Sequence, residues 1–185
     1  MMLAGHTVIY GGSFNPPHIG HQIACLYLLE ALQADCVWLM PAYAHPFSKT
    51  LAAFDARVAM CKLMLSPFGT RAEVSILERD LAEQGGRGLT YDLLIALQQQ
   101  FPQRRFALAI GADIHQETHA WHRWDTITEM VPIVTLGRTG YPSHAAVDLP
   151  QVSSTAIREH LQNSTSIEGL VPASVAAYIE EHDLY

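Results

Sequence analysis

The sequence predicts an α/β protein: a doubly wound parallel sheet with helices on both faces and a small helical segment at the C-terminal end. Three observations point there. Short apolar and β-branched runs at residues 8–10, 37–40, 73–77, 106–110 and 133–136 alternate with segments of helical spacing. At 185 residues and 49% hydrophobic content the chain can bury a substantial core. No repeat, low-complexity stretch or linker interrupts it, so residues 1–185 read as one domain.

The elements follow in order. Val8, Ile9 and Tyr10 form a buried first strand, which Gly11 and Gly12 end. Pro16 and Pro17 suit a last loop position and a first helical turn; Ile19, Ile23, Leu26 and Ala31 recur at near-helical spacing, so a helix begins near Pro17 or His18. After the second strand at 37–40, a loop through Lys49 leads to a helix over 54–65 and a third strand at 73–77. The polar, glycine-rich stretch 83–88 is a loop, and 92–100 a helix. Strands at 106–110 and 133–136 follow, then a helix within 151–161 capped by Ser153 or Ser154, and a closing helix within 170–185. In open sheets of this kind ligands sit beyond the strands' carboxyl ends where strand order reverses. The loops after the first and fourth strands are the natural pair.

Bulk charge narrows the function. A formal net charge of −7 excludes a sequence-independent nucleic-acid binder, which needs a basic surface to displace counterions. No apolar stretch approaches the roughly 18 residues that suggest a membrane span, and the N-terminal MMLAGHT lacks the features of a signal peptide. A cytoplasmic protein is expected. Cys25, Cys36 and Cys61 are odd in number and scattered, as buried thiols of a reducing compartment are. Composition does not decide between a monomer and a homo-oligomer.

The run GGSFNPPHIGH, residues 11–21, places His18 and His21 three apart at a helix start, hence on one face and beside the unpaired N–H groups where an anion is favoured. Ser13 and the backbone of Phe14 add donors. Two surface imidazoles beside a tight turn are the plainer reading of such a pair. Gly111 permits close approach of a ligand after the strand at 106–110, and Asp113 offers a carboxylate to a ribose hydroxyl or an adenine amino group, or else caps a turn. QVSSTAIREHL, residues 151–161, presents hydroxyls at a helix start with Arg158 one turn on.

Taken whole, GGSFNPPHIGH resembles the signature of the nucleotidylyltransferases, whose HxGH motif stands here as His18, Ile19, Gly20 and His21, and specifically the bacterial nicotinate mononucleotide adenylyltransferases. SSTAIR resembles the ISSTxIR motif of the same superfamily, GAD at 111–113 its nucleotide-side segment, and the tail at 170–185 its closing helix. The resemblance implies a Rossmann-like fold and transfer of AMP from ATP to nicotinate mononucleotide. It assigns His18, His21 and Arg158 to catalysis, and Gly12, Ser13, Phe14, Gly111, Asp113, Ser154 and Thr155 with them to ATP. Mg²⁺ is implied, bound mainly through the ATP phosphates. For the acceptor it implies Asn15, His45, Lys49, Thr90, Tyr91 and Trp121, with Trp121 of HAWHRW stacking on the pyridine or else packing in the core beside Trp124. Two segments depart from the family pattern: HPFSK stands where members carry PPHK, and Asp92 follows Thr90 and Tyr91 directly, two residues short of TYTxDTL. Nicotinamide mononucleotide and phosphopantetheine are therefore alternative acceptors, and a non-catalytic nucleotide sensor the alternative of another class. Arg57 also matches a family position, or pairs with Asp55 or Glu78.

His115, His119 and His122 form a rival constellation: on one helix they would share a face and ligate a metal. HQETH lacks the order of HExxH, and the two tryptophans compete for the buried side.

Overall fold

A computed structural model describes residues 1–43, 51–115, 117–138 and 148–185. The five predicted strands form as β1 (His6–Gly12), β2 (Cys36–Pro41), β3 (Ala72–Val74), β4 (Arg105–Gly111) and β5 (Ile133–Arg138). A two-residue β6 (Asp148–Leu149), too short to leave a periodic signal, joins them. All pair in parallel in the order β3-β2-β1-β4-β5-β6. Winding proceeds outward from β1 on one side and from β4 on the other. Strand order therefore reverses between these two, which opens a crevice at their carboxyl ends.

The helices are α1 (Ile19–Leu26), α2 (Phe54–Leu65), α3 (Leu77–Glu83), α4 (Thr90–Gln100), α5 (Ala112–His115), α6 (Trp124–Met130), α7 (Ser154–Gln162) and α8 (Ala173–Glu181). Alternation along each strand distributes them over two cores. On one face Val8, Tyr10, Val37, Leu39, Ala107 and Ala109 meet Ala24 of α1, Met60 and Met64 of α2, Ile157 of α7 and Val175 and Ile179 of α8. On the other, Ile9, Trp38, Met40, Leu108 and Ile110 meet Leu93, Leu94 and Leu97 of α4 and Ile127 of α6. No described helix is long and apolar enough to cross a membrane.

Three local expectations change. The first helix does not run uniformly to Ala31: α1 ends at Leu26 and Tyr27–Ala31 is a π-helical turn, whose wider step places the consecutive Leu28 and Leu29 both inside the core, 0% and 3% exposed. The third strand stops at Val74, and Leu77 opens α3 instead of ending a strand. Ser75 Oγ accepts the Leu77 N–H at 3.3 Å, and Glu78 and Asp80 in the first turn complement the helix dipole. Residues 115–122 are not one helix either. His115 ends α5, His119 lies in a 3-10 turn over Thr118–Ala120, and α6 starts only at Trp124. The shared face that a histidine metal site required is absent, and no cluster of three metal-ligating side chains occurs among the described residues.

Candidate active site

Beyond Gly12 the chain turns sharply into α1. Phe14 adopts a left-handed conformation, φ 46°, with its ring 1% exposed. That ring lies edge-on to His21 at 4.9 Å and to Tyr10 at 5.7 Å, so it props the His21 imidazole, and Phe14 borders the crevice. The Asn15–Pro16 peptide is cis. His18 is the extended N-cap of α1 and His21 its third residue. Their rings stack at 3.7 Å and 27°, as the three-residue spacing predicts. The His18 N–H donates to His21 Nδ1 at 3.1 Å, which puts the imidazole's own proton on Nε2, the nitrogen suited to donate to a phosphate oxygen. A Cβ on Gly20 would come 3.1 Å from the His18 ring, so the glycine of HIGH leaves room for that imidazole.

The second motif arrives from the far end of the chain. Ser153 caps α7, its Oγ accepting the Ala156 N–H at 3.1 Å, which settles the choice between the two serines. Ser154 Oγ donates to the Pro16 carbonyl at 2.8 Å. Arg158 donates through one guanidinium nitrogen to the Asn15 carbonyl at 2.7 Å and through the other to Thr155 Oγ1 at 3.2 Å. The N-terminus of α7 is thus hydrogen-bonded to the turn that carries the histidines.

One cleft of 740 Å³ results, over the β1–β4 reversal. Gly12, Ser13, Phe14, His18, His21, Gly111, Asp113, Ser154, Thr155 and Arg158 all line it, so every residue expected to meet ATP faces one space. Asp113 is its one carboxylate among the described residues, and a side chain on Gly111 would collide with that carboxylate. Sequence reasoning missed the apolar wall: Ile114, Leu136, Gly137, Leu149 and Val152. Leu136 and Gly137 end β5 at the same rim, a position the strand prediction already implied. Cationic and hydroxyl groups together with a carboxylate and apolar side chains in one lining suit a nucleoside triphosphate.

The acceptor-side candidates divide. Asn15 lines the cleft. Thr90, Tyr91 and Trp121 do not line it. Thr90 opens α4, and the Tyr91 hydroxyl accepts Arg123 at 3.0 Å beneath a guanidinium 4.8 Å from its ring. Trp121 lies edge-on to Trp124 at 5.7 Å, partly buried against the second core. His45 and Lys49 lie outside the described residues.

Arg57 pairs differently from the sequence reading. Asp55 goes to Arg79 at 3.2 Å, while Arg57, 1% exposed, donates to the carbonyls of Ser13 at 2.8 Å and Ala52 at 3.0 Å. It braces the glycine turn from within. Glu78 lies in its field and accepts the Tyr43 N–H at 2.9 Å; burial nevertheless pushes that carboxyl up to about 7. A proton is held more tightly in the folded state, so stability is full below about pH 4.5 and declines as pH rises through 7. Glu78→Gln keeps the acceptor for Tyr43 and removes the ionisation. Its expected gain is about 1 to 3 kcal/mol at pH 8.5 and near zero at about pH 4, read from denaturant midpoints. Equal midpoint shifts at both pH values would refute the assignment.

A cytidylyltransferase-like family model matches residues 9–160. A protein of Anaeromyxobacter dehalogenans named "Probable nicotinate-nucleotide adenylyltransferase" is 42% identical over 178 residues, 96% of this chain and 95% of its own length. A Myxococcus xanthus protein of the same name is 38% identical over 187 residues, covering 100% of this chain and 97% of its own. Among solved structures, Plasmodium falciparum nicotinic acid mononucleotide adenylyltransferase complexed with NaAD superposes with a TM-score of 0.82 over 97% of each chain at 18% identity, a shared fold. With its two motifs joined in one cleft and relatives matched over nearly full length, this chain belongs to the cytidylyltransferase-like proteins and, within them, to the nicotinate-nucleotide adenylyltransferase family.

Proposed function

We propose that this chain transfers AMP from ATP to the phosphate of nicotinate mononucleotide, releasing pyrophosphate and forming nicotinate adenine dinucleotide for NAD biosynthesis in the cytoplasm. The observation that carries the reading is the convergence of His18 and His21 with Ser154, Thr155 and Arg158 on one cleft. A phosphate monoester with a second pKa of about 6 is mostly dianionic at neutral pH, so the nucleophile needs no general base. Its oxygen bonds to the α-phosphorus, the bond from that phosphorus to the bridging oxygen breaks, and pyrophosphate leaves with the electron pair.

The protein's task is therefore to hold two anions together and to balance the charge that develops on the leaving side. His21 and His18 donate toward the α-phosphate and Arg158, Thr155 and Ser154 toward the β and γ phosphates, while the Asp113 carboxylate accepts from a ribose hydroxyl or the adenine amino group. A Mg²⁺ ion would be held mainly by the ATP phosphates: imidazoles, hydroxyls, a guanidinium and the single carboxylate of Asp113 fit a metal carried by its substrate better than one held by the protein. When bound it supplies further positive charge to the triphosphate.

Pyrophosphate release with ATP and Mg²⁺ tests the reading against three acceptors: nicotinate mononucleotide, nicotinamide mononucleotide and phosphopantetheine. The expected result is the highest kcat/KM with nicotinate mononucleotide. A preference for phosphopantetheine would replace the acceptor, and ATP binding without pyrophosphate release from any of the three would make the protein a sensor.

A further inference from the structure

We infer that the Tyr185 hydroxyl is a positioning group for Arg158, acting through Asn15. The inference rests on the reading above, in which Arg158 meets the triphosphate. Asn15 is 3% exposed and receives donors from three separate segments. Its side-chain Oδ1 accepts the Ala52 N–H at 3.0 Å and the Tyr185 O–H at 2.8 Å, while its main-chain carbonyl accepts Arg158 at 2.7 Å. An amide oxygen has two lone pairs, and both are occupied here. The plane of the Asn15 side chain is therefore set by residues 52 and 185 together, and the same residue's carbonyl fixes one arm of the guanidinium. The other arm rests on Thr155.

A planar fork gains its strength by meeting phosphate oxygens at a defined angle, so loosening one anchor costs aim before it costs charge. The tyrosine is built to stay a donor. Burial pushes its hydroxyl pKa up, with only partial opposition from Arg158 and Arg57. Its ring is packed against the core that α1, α2 and α8 share, so the ring has its own reason to remain in place without the oxygen.

Tyr185→Phe isolates that oxygen. Asn15 Oδ1 keeps the Ala52 N–H, no buried polar atom is orphaned, and Tm should stay within about 2 °C. ATP affinity in the presence of Mg²⁺, measured by calorimetry, should weaken roughly five- to tenfold. Added to Arg158→Ala, the same change should cost nothing further, because the group it aims is already gone. Arg158→Lys serves as the second background if the alanine variant loses its fold. Wild-type affinity in Tyr185→Phe, or an equal loss in both backgrounds, overturns the proposal. Wild-type protein that binds no ATP sinks the functional reading instead, and is seen before any variant is compared.

Discussion

His21→Ala lowers kcat for pyrophosphate release on the order of 10²- to 10³-fold while the protein stays folded. The imidazole is held on three sides: stacked on His18 at 3.7 Å, edge-on to Phe14 at 4.9 Å, and accepting the His18 N–H at Nδ1. So constrained, the ring presents its Nε2 proton in one direction, with no reorganisation left to occur when charge develops on the phosphate. Alanine removes that donor together with the acceptor for the His18 N–H, a loss of about 1 kcal/mol of stability. His21→Asn separates the two effects. An asparagine oxygen takes the place of Nδ1 at the cap, so thermal stability should return toward wild type while kcat stays depressed. Steady-state kinetics and a thermal melt on the two variants suffice. Near-normal turnover in either would remove His21 from the chemistry.

What could be read from the sequence, and what could not, divides by distance along the chain. The crevice was legible because each half of it is local: a strand, a glycine-bearing turn and a helix carry GGSFNPPHIGH, and a capped helix start carries SSTAIR. Parallel alternation pointed to the loops after the first and fourth strands, and GGSFNPPHIGH and GAD do meet over the β1–β4 reversal; that SSTAIR would join them was implied by the resemblance alone. The partners of Arg57 were not legible. Charge complementarity pointed to Asp55 or Glu78, but its hydrogen bonds go to two main-chain carbonyls, one of them 44 residues away, and a carbonyl leaves no mark in a sequence. Tyr185 on Asn15, 170 residues apart, was hidden for the same reason. The 115–122 segment misled differently: its histidine spacing assumed a continuous helix, whereas Arg123 takes a left-handed conformation, φ 57°, and α6 begins only after it. Of the acceptor residues the resemblance implies, Thr90, Tyr91 and Trp121 are absent from the lining of the triphosphate cleft: Tyr91 is bonded to Arg123 and Trp121 packs on Trp124.

Arg158→Ala should lower kcat/KM for ATP by about 10²-fold, with a loss of pyrophosphate affinity that exceeds any loss of affinity for the mononucleotide. One guanidinium nitrogen bonds the Asn15 carbonyl and the other Thr155 Oγ1, so the charge is oriented by neutral acceptors and is paired with no carboxylate among the described salt bridges. A cation fixed that way at the cleft wall retains its attraction for an anionic ligand, and each charge-assisted bond it makes is worth roughly 1.5 to 3 kcal/mol. Lysine tests whether charge or shape carries the effect. An ammonium group keeps the positive charge but cannot span Asn15 and Thr155 while also presenting two parallel donors, so Arg158→Lys should recover no more than about tenfold of the loss. Raising ionic strength should weaken the lysine variant more than the wild type, because a point charge without directional bonds is the more easily screened. Full recovery by lysine would show that the fork geometry is idle and that a diffuse positive field is all the cleft requires. Product inhibition by pyrophosphate, compared across the three proteins, distinguishes the two outcomes without depending on which acceptor is used.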